Sequence, residues 1–463
     1  MQIPEKVKDI IEKLEQNGYE GYAVGGCVRD SVLGRVPEDW DITTSAKPEE
    51  IKRLFRKTID TGIAHGTVTV MMDGEGFEVT TYRVDGDYVD HRHPKTVTFT
   101  PNLEEDLKRR DFTMNAMAYN PREGIVDLFG GMDDIQKGCI RCVGNPSERF
   151  SEDALRMLRG VRFAGQLGFT LEKETKEGIR LLADTIARVS AERIQVELTK
   201  LLLSKEPEKL LLAEETGLCH VILPEFSRML ATQQTNPHHC YSVGEHVLHA
   251  VRQIRHAAGG LPPGEAPFGG EFSDKKVSTI LAYAALLHDV GKPACRKTDE
   301  KGIDHFYGHD RAGAETAAEI LHRLRFDNDT IHMVKVLIQY HERRYDGNRR
   351  SLRRLISKAG VDVMPYLFLL QKADVLAQSD YKREEKLQRI EEAHRMFRDI
   401  RKEKEPVCIR ELAVSGREII SLGIEPGPQV GEILQRLLEA VLEDPGKNNR
   451  KQLLTEAQKW IKI

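Results

Sequence analysis

Val24-Gly-Gly-Cys-Val-Arg-Asp30, followed shortly by Asp39-Trp-Asp-Ile-Thr-Thr44, decides how the N-terminal third of this chain is read. The run from Tyr19 to Val24 has the β-branched and aromatic character of a strand. Gly25 and Gly26 then make a turn in which the backbone can come close to a bound anion, and Arg29 adds a fixed cation. If Asp39 to Thr43 is extended, the carboxylates of Asp39 and Asp41 stand at i and i+2 and point to one face. Such a pair suits Mg²⁺, which prefers carboxylates plus substrate phosphates, and a metal pair clamps the attacking and leaving oxygens of a phosphoryl displacement. Each feature alone has a plain alternative, a tight turn or a solvated strand end. Their succession points to phosphoryl transfer.

Working outward, Gly66 to Val70, Phe77 to Tyr82 and Thr96 to Thr100 also read as strands, and an α/β head follows. Glu78, on the second of these, is a candidate third carboxylate. Arg109-Arg-Asp-Phe-Thr-Met-Asn115 supplies a basic pair that can face a triphosphate. From Ser151 the apolar spacing turns helical. A helix capped by Ser151 places Asp153, Arg156, Arg159 and Arg162 three apart on successive turns, a stripe that reads either as a solvated face or as bidentate recognition. The polar segment from Arg83 to Lys95 reads as a mobile loop, and Leu261 to Ser273 and Arg401 to Pro406 as connectors.

At 463 residues the chain exceeds the roughly 100–200 residues of one domain. With 40% hydrophobic and 31% charged residues it can bury several cores, which excludes global disorder. No apolar run approaches the roughly 20 residues of a membrane span, and Met1 to Ile10 is too charged for an export signal, so a soluble cytoplasmic protein is expected. Seven cysteines, unevenly spaced, argue against a disulfide framework. Cys139 and Cys142 form a lone CxxC that cannot complete a four-ligand zinc site and read as chance thiols. A net charge of -4 decides little, because a local basic stripe is enough to meet RNA.

The ordered set Val24-Gly-Gly-Cys-Val-Arg-Asp30, Asp39-Trp-Asp41, Arg109-Arg-Asp111 and Glu152-Asp-Ala-Leu-Arg156 resembles the bacterial CCA-adding tRNA nucleotidyltransferase and poly(A) polymerase family (class II). Leu412 to Gly416 and Gly423 to Ile433 resemble its C-terminal segment. The resemblance implies one site adding C, C and A to the tRNA 3′ end, with tRNA, CTP and ATP as partners. It assigns Gly25, Gly26, Arg29, Arg110, Asp153, Arg156, Arg159 and Arg162 to the nucleotide, and Asp39 and Asp41 to Mg²⁺ and catalysis. Asp153 would accept from the exocyclic amine of cytosine or adenine while Arg156 donates to the ring edge, and uracil and guanine invert that pattern. In this family the loop from Arg83 to Lys95 accompanies the switch from C to A addition.

Farther on, His246, the doublet His288-Asp289, His309, His341 and Asp374 resemble the HD phosphohydrolase superfamily. A helix end or kink before Gly291 would let His288 and Asp289 reach one metal, a transition metal or Mg²⁺. Arg343, Arg344, Arg349, Arg350, Arg353 and Arg354, with few acids near them in the chain, read as a solvated face or a tRNA-backbone contact. The expected organisation is α+β and multidomain: a mixed-sheet nucleotidyltransferase head at 1–145, a helical neck at 146–228, an HD body at 229–404 and a helical tRNA-binding tail at 405–463. The competing readings are a poly(A) polymerase or A-adding enzyme, an HD phosphohydrolase, and an RNA-binding scaffold.

Overall fold

The computed structural model describes the chain apart from residues 87–96, 259–273, 344 and 462–463. The chain divides into two compact units, Met1–Pro224 and Glu225–Ile463. Among the described residues no helix is long and apolar enough to cross a membrane. The architecture is α+β, with the large sheet confined to the first unit.

That sheet has seven strands: β1 (Gly21–Val24), β2 (Ile42–Thr44), β3 (Thr58–Gly62), β4 (Thr67–Met72), β5 (Glu75–Thr81), β6 (Met117–Asn120) and β7 (Gly124–Asp127). Their order is β3-β4-β5-β2-β1-β6-β7. Only β2 and β5 run parallel, in the register Ile42↔Val79, and the other neighbours are antiparallel. Helix α1 (Glu5–Gln16) buries Val7, Ile10, Ile11 and Leu14, the i, i+3, i+4, i+7 stripe of an amphipathic helix, in one core with Ala23, Ile42, Val68 and Val79. Tyr22, Val24, Tyr82, Leu107 and Ala118 form a smaller cluster. The carboxylate-bearing edge of the site is therefore backed by packed apolar residues.

Two expectations change. Ser151 is not a helix start: it lies in the last turn of α2 (Pro146–Glu152), which opens with Pro146 in its first turn and the Asn145 side chain accepting from Ser147 N. The Asn-Pro start outcompetes the serine, since proline is pre-set for a first turn and asparagine is a strong cap. Asp153 is then extended (φ -139°), outside any helix, and its carboxylate accepts from Leu155 N at 3.1 Å where α3 (Leu155–Leu167) begins. Only Arg156, Arg159 and Arg162 share that helix. Arg83–Asp85 is not loop but a short strand paired antiparallel with Val97–Phe99. Residues 87–95 of the expected mobile loop, and the whole of the expected connector Leu261 to Ser273, lie outside the described residues.

Among its described residues the second unit is helical apart from a two-stranded ribbon, Lys297–Thr298 with Asp304–His305. Its core elements are α4 (Val243–Ala258), α5 (Asp274–Leu287), α6 (His309–Arg323), α7 (Asn328–Tyr340) and α8 (Met364–Ala377). Helix α5 ends at Leu287, and His288 to Val290 form a turn, so the adjacent His and Asp are freed from helical geometry as expected. Gly291 follows because nothing larger fits: a Cβ there would stand 2.4 Å from His309 O and 2.6 Å from Gly313 N. Gly291→Ala is expected to destabilise the second unit by about 1–3 kcal/mol, the usual cost of overpacking. A denaturation midpoint unchanged from wild type, followed by far-UV circular dichroism, would show that the α6 contact yields freely.

Candidate active site and a second ligand cluster

In the first unit β1 ends at Val24, and Gly25 turns the chain with φ +82°, a region that only glycine enters cheaply. A Cβ at Gly25 would also stand 3.0 Å from Arg110 Nη1, so the turn and this guanidinium are in close approach. Asp39 and Asp41 lie in the segment entering β2, where Asp41 O accepts from Val24 N at 3.0 Å. Glu78 is one residue before the Ile42↔Val79 pair, so it flanks Asp41 across the parallel ladder. All three carboxylates reach solvent. The Asp41 carboxyl is nevertheless held above its usual range, by partial burial first, then by the charges of Glu78 and Asp39, with Arg110 opposing. Mutually repelling carboxylates facing one arginine form an acceptor set that fits a divalent metal.

The arginines are tied into a buried network. Arg29 donates to both oxygens of Asp30 (3.0 and 2.8 Å) and, through Nη1, to Asn115 Oδ1 at 2.7 Å. Asn115 in turn donates to Asp111 Oδ1 at 3.0 Å, and Arg159 of α3 donates to Asp111 Oδ2 at 2.8 Å. Asp106, fully buried, accepts from Arg109 at 2.7 and 3.0 Å and from Arg110 at 3.3 Å. Its carboxyl is lowered, because Arg110 and Arg109 outweigh the burial that works the other way. Phe163 provides a ring under three of these cations, Arg29, Arg159 and Arg162.

Asp153 and Arg156 do not pair with one another. Asp153 accepts from Arg193 at 2.7 and 3.3 Å, whereas Arg156 donates to Glu152 Oε2 at 2.6 Å and to Arg109 O at 2.9 Å. Arg162 is buried against Glu197 (2.5 Å) and Gln166 (2.6 Å). Sequence reading passed over Asp106, Asn115, Glu152, Phe163, Arg193 and Glu197. Asp106 and Asn115 adjoin or belong to the quoted motif, but nothing local announces that Arg193 or Glu197, some forty residues beyond their partners, will return to them.

In the second unit the six candidate ligands converge. His246 Nε2 stands 3.2 Å from His288 Nε2 and 3.0 Å from Asp374 Oδ1. His309 Nε2 stands 3.4 Å from His341 Nε2. Asp289 lies between the two pairs, with Oδ2 at 3.3 Å from His288 and 3.5 Å from His246, and Oδ1 at 3.4 Å from His309 and 3.7 Å from His341. Each Nδ1 meets a backbone carbonyl: Ala377, Ala285, Phe306 and Ile338 for His246, His288, His309 and His341. A carbonyl only accepts, so each neutral ring carries its proton on Nδ1 and turns an Nε2 lone pair inward. Burial works against charge on His288, yet Asp289 and Asp374 outweigh it and raise that ring to about 10. A focus of lone pairs and carboxylates fits a bound cation. The cluster opens on a cavity of about 540 Å³ lined also by Lys292, Arg343, Tyr345 and Phe368.

The arginine patch is not the free basic face that its sequence neighbourhood suggests. Arg349 pairs with Glu403 and Glu405, Arg350 and Arg354 with Glu443, and Arg353 with Glu405 and the carbonyls of Leu442 and Glu443. Folding brings acids from distant positions, so these side chains join the helix Arg349–Ala359 to the helix Pro428–Glu443. Arg344 lies outside the described residues.

Comparison with known proteins gives three family matches: "Poly A polymerase head domain" over residues 21–141, "Probable RNA and SrmB- binding site of polymerase A" over 168–230, and tRNA nucleotidyltransferase domain 2 over 309–457. The three matches together, with the structural likeness reported below, make the chain similar to the bacterial class II CCA-adding enzymes. Among relatives in this family, the CCA-adding enzyme of Geobacillus kaustophilus is 54% identical over 215 residues, 46% of this chain and 53% of the relative. That of Lactiplantibacillus plantarum is 49% identical over 227 residues, 49% of this chain and 55% of the relative. The match thus spans about half the length of these relatives. The crystal structure of Bacillus stearothermophilus CCA-adding enzyme in complex with CTP matches over 100% of this chain and 98% of that one, with 28% identity and a TM-score of 0.72. The nucleotidyltransferase head implies a divalent metal.

Asp111 offers a clean electrostatic test. Burial works against its charge, but Arg159, Asn115 and Arg156 hold the carboxyl well below the usual range. A carboxyl depressed in the folded state contributes stability that is complete above its unfolded value of about 4 and fades as pH falls toward the native value. Asp111→Asn should therefore cost on the order of 2 kcal/mol, discounted for the partly exposed Arg159. The difference from wild type should be constant between about pH 5 and 8 and shrink below about pH 4, read from denaturation at each pH.

Proposed function

We propose that this chain is a CCA-adding tRNA nucleotidyltransferase, which adds C, C and A to the tRNA 3′ end from CTP and ATP without a nucleic-acid template. The gathering of Asp39, Asp41 and Glu78 opposite Arg110 at the Gly25 turn carries this reading. The CCA-adding relatives support it, and the CTP complex of the structural relative supports a nucleotide ligand. The head is assigned to 1–145, the neck to 146–228, the His-Asp body to 229–404 and the tRNA-binding tail to 405–463.

Asp39 and Asp41, with Glu78 beside them, would hold Mg²⁺, which when bound draws charge from the triphosphate and aligns the attacking and leaving oxygens. The tRNA 3′ hydroxyl attacks the α-phosphorus and pyrophosphate leaves. Gly25 and Gly26 let the backbone approach the phosphates, and Arg110 and Arg29 offset the charge that accumulates on the leaving group. Arg110 Nε, buried with no hydrogen-bond partner among the described residues, is a donor suited to a phosphate oxygen. Asn115 and Asp30 hold Arg29 in its orientation. Arg159, fastened to Asp111, contributes positive potential from the neck, and Arg162 supports it from its pair with Glu197.

Asp153 reads the exocyclic amine and Arg156 the ring nitrogen. A carboxylate has about four acceptor sites and a guanidinium five donors, so Asp153 can take an amine while keeping Arg193, and Arg156 a ring nitrogen while keeping Glu152. A uracil or guanine would set a carbonyl against the Asp153 carboxylate, and sites built on hydrogen-bond matching reject such ligands sharply. Incubation with tRNA lacking its 3′ end should give full extension only when CTP and ATP are both supplied. Asp41→Asn should lower transfer about 100-fold or more, and Asp153→Ala should raise incorporation from UTP or GTP. Long adenylate tails on unrelated RNA would instead favour a poly(A) polymerase.

The converging His-Asp cluster supports a second reading, a metal-dependent phosphohydrolase in the same chain, with small phosphate esters or RNA ends as substrates. Four imidazole donors favour a transition metal over Mg²⁺. His288→Ala should abolish hydrolysis of bis(p-nitrophenyl) phosphate in Mn²⁺ and leave CCA addition intact. A wild-type chain with no bound metal and no hydrolysis would remove this activity.

A further inference from the structure

Two cavities adjoin in the second unit. The first opens from the His-Asp cluster. The second has a volume of about 510 Å³ and shares Arg343, Tyr345, Leu352 and Leu355 with it. Each falls within the roughly 300–1,000 Å³ of a small-molecule site. A ligand that occupies both is therefore longer than a single phosphate ester.

The wall of the second cavity is basic, with Arg311, Arg343, Arg354 and Lys358 lining it against Asp310 and Asp346. Arg354 is paired with Glu443, and Asp346 Oδ1 accepts from Asn348 N at 3.0 Å. Among the described residues no hydrogen bond or ion pair engages the side chains of Arg311, Arg343 and Lys358, and all three are exposed. They differ in this from the arginines at 349, 350, 353 and 354, which glutamates neutralise. Arg343 also stands on fixed backbone. Buried Gln371 of α8 donates through Nε2 to His341 O at 3.0 Å and to Arg343 O at 2.8 Å, and Arg343 N donates to Tyr340 O at 3.0 Å. The turn that places His341 in the cluster thus also places a guanidinium at the boundary of the two cavities.

Aromatic faces accompany the cations. Tyr345 is common to both cavities. Tyr307, on the wall of the first, is 78% exposed and stacks on His305, with the rings 4° from parallel and their centroids 5.5 Å apart. Asp299 Oδ2 holds His305 at 3.0 Å, so the tyrosine rests on an anchored ring and offers its outer face to a base. Cations that meet a phosphate backbone, interleaved with aromatic faces that stack bases, are the general form of a single-strand nucleic-acid site.

We propose that the two cavities form one track for a single-stranded RNA 3′ end, with the terminal phosphate at the His-Asp cluster, the next at Arg343 and those beyond at Arg311 and Lys358. The proposal rests on the phosphohydrolase reading of the cluster and narrows its substrates from small phosphate esters to oligonucleotide ends. The 3′ end is the one on which the head works in the function proposed above. In the hydrolysis a water oxygen bonds to the terminal phosphorus, the bond to the departing oxygen breaks and the water proton passes to solvent. The track cations act on binding, because they hold phosphates that do not react.

The test uses the full-length chain in Mn²⁺ with two chromogenic esters, 2′-O-methyluridine 3′-(p-nitrophenyl phosphate) and a 2′-O-methyl tetrauridylate ending in the same group. Wild type should cleave the tetranucleotide with a kcat/KM at least about tenfold higher, through KM and not kcat, as one charge-assisted contact provides. Each further phosphate held should steepen the fall of kcat/KM with salt by about 0.7 in log–log slope. Arg343→Gln, and separately the double variant Arg311→Gln with Lys358→Gln, should shrink the preference about tenfold by raising KM for the tetranucleotide, and Arg343→Lys should recover part of it. Equal kcat/KM for the two esters in wild type, or variants that keep the preference, would overturn the track, while cleavage of bis(p-nitrophenyl) phosphate would leave the phosphohydrolase reading standing. Hydrolysis of none of the three esters would overturn both. Matching circular dichroism spectra would establish that each variant is folded.

Discussion

Asp111 is the constraint on which the first unit's site depends. Its carboxylate is buried, and a buried charge persists only when it is paired and hydrogen-bonded. Arg159 from the neck helix takes one oxygen, and Asn115 from the head takes the other. Asn115 passes the constraint to Arg29, which stands just past the glycine turn. The glycine turn that carries Arg29 and the helix that carries Arg159 are therefore tied through one carboxylate. Loosening Asp111 would release Asn115 and Arg159 together.

The second unit solves the opposite problem. Instead of distributing one buried negative charge among donors, it gathers imidazoles and carboxylates and anchors each ring through a backbone carbonyl at Nδ1, so that every Nε2 faces the cluster. The ligands come from helix ends and turns: His288 and Asp289 after α5, His309 opening α6 and His341 closing α7. Terminal positions can point inward without being restricted to one helical face. Gly291 makes this possible, because it lets α6 approach the turn that carries Asp289.

Much of this was legible in the residue order. The strand, the glycine turn and the close Asp39 and Asp41 pair are local features, and local chemistry is what a single sequence reports most directly. The His-Asp set was legible because ligand types recur on otherwise apolar helices. The failures are equally specific. Ser151 was a plausible cap, but a stronger Asn-Pro start lies just upstream. The arginines from 349 to 354 looked unpaired because Glu405 and Glu443 are remote in the chain. Arg193 and Glu197 went unnoticed for the same reason.

The order of residues by itself determined that a glycine turn would be followed by two carboxylates, and that imidazoles and carboxylates of ligand type would recur in one region. Those are statements about composition and neighbours, governed by backbone geometry over a few residues. Tertiary structure alone decided which charges meet: Asp153 with Arg193, Arg349 to Arg354 with glutamates, and Asp289 between two histidine pairs. Coulomb and hydrogen-bond energies depend on distances of a few ångströms in space, and spacing along the chain does not supply them.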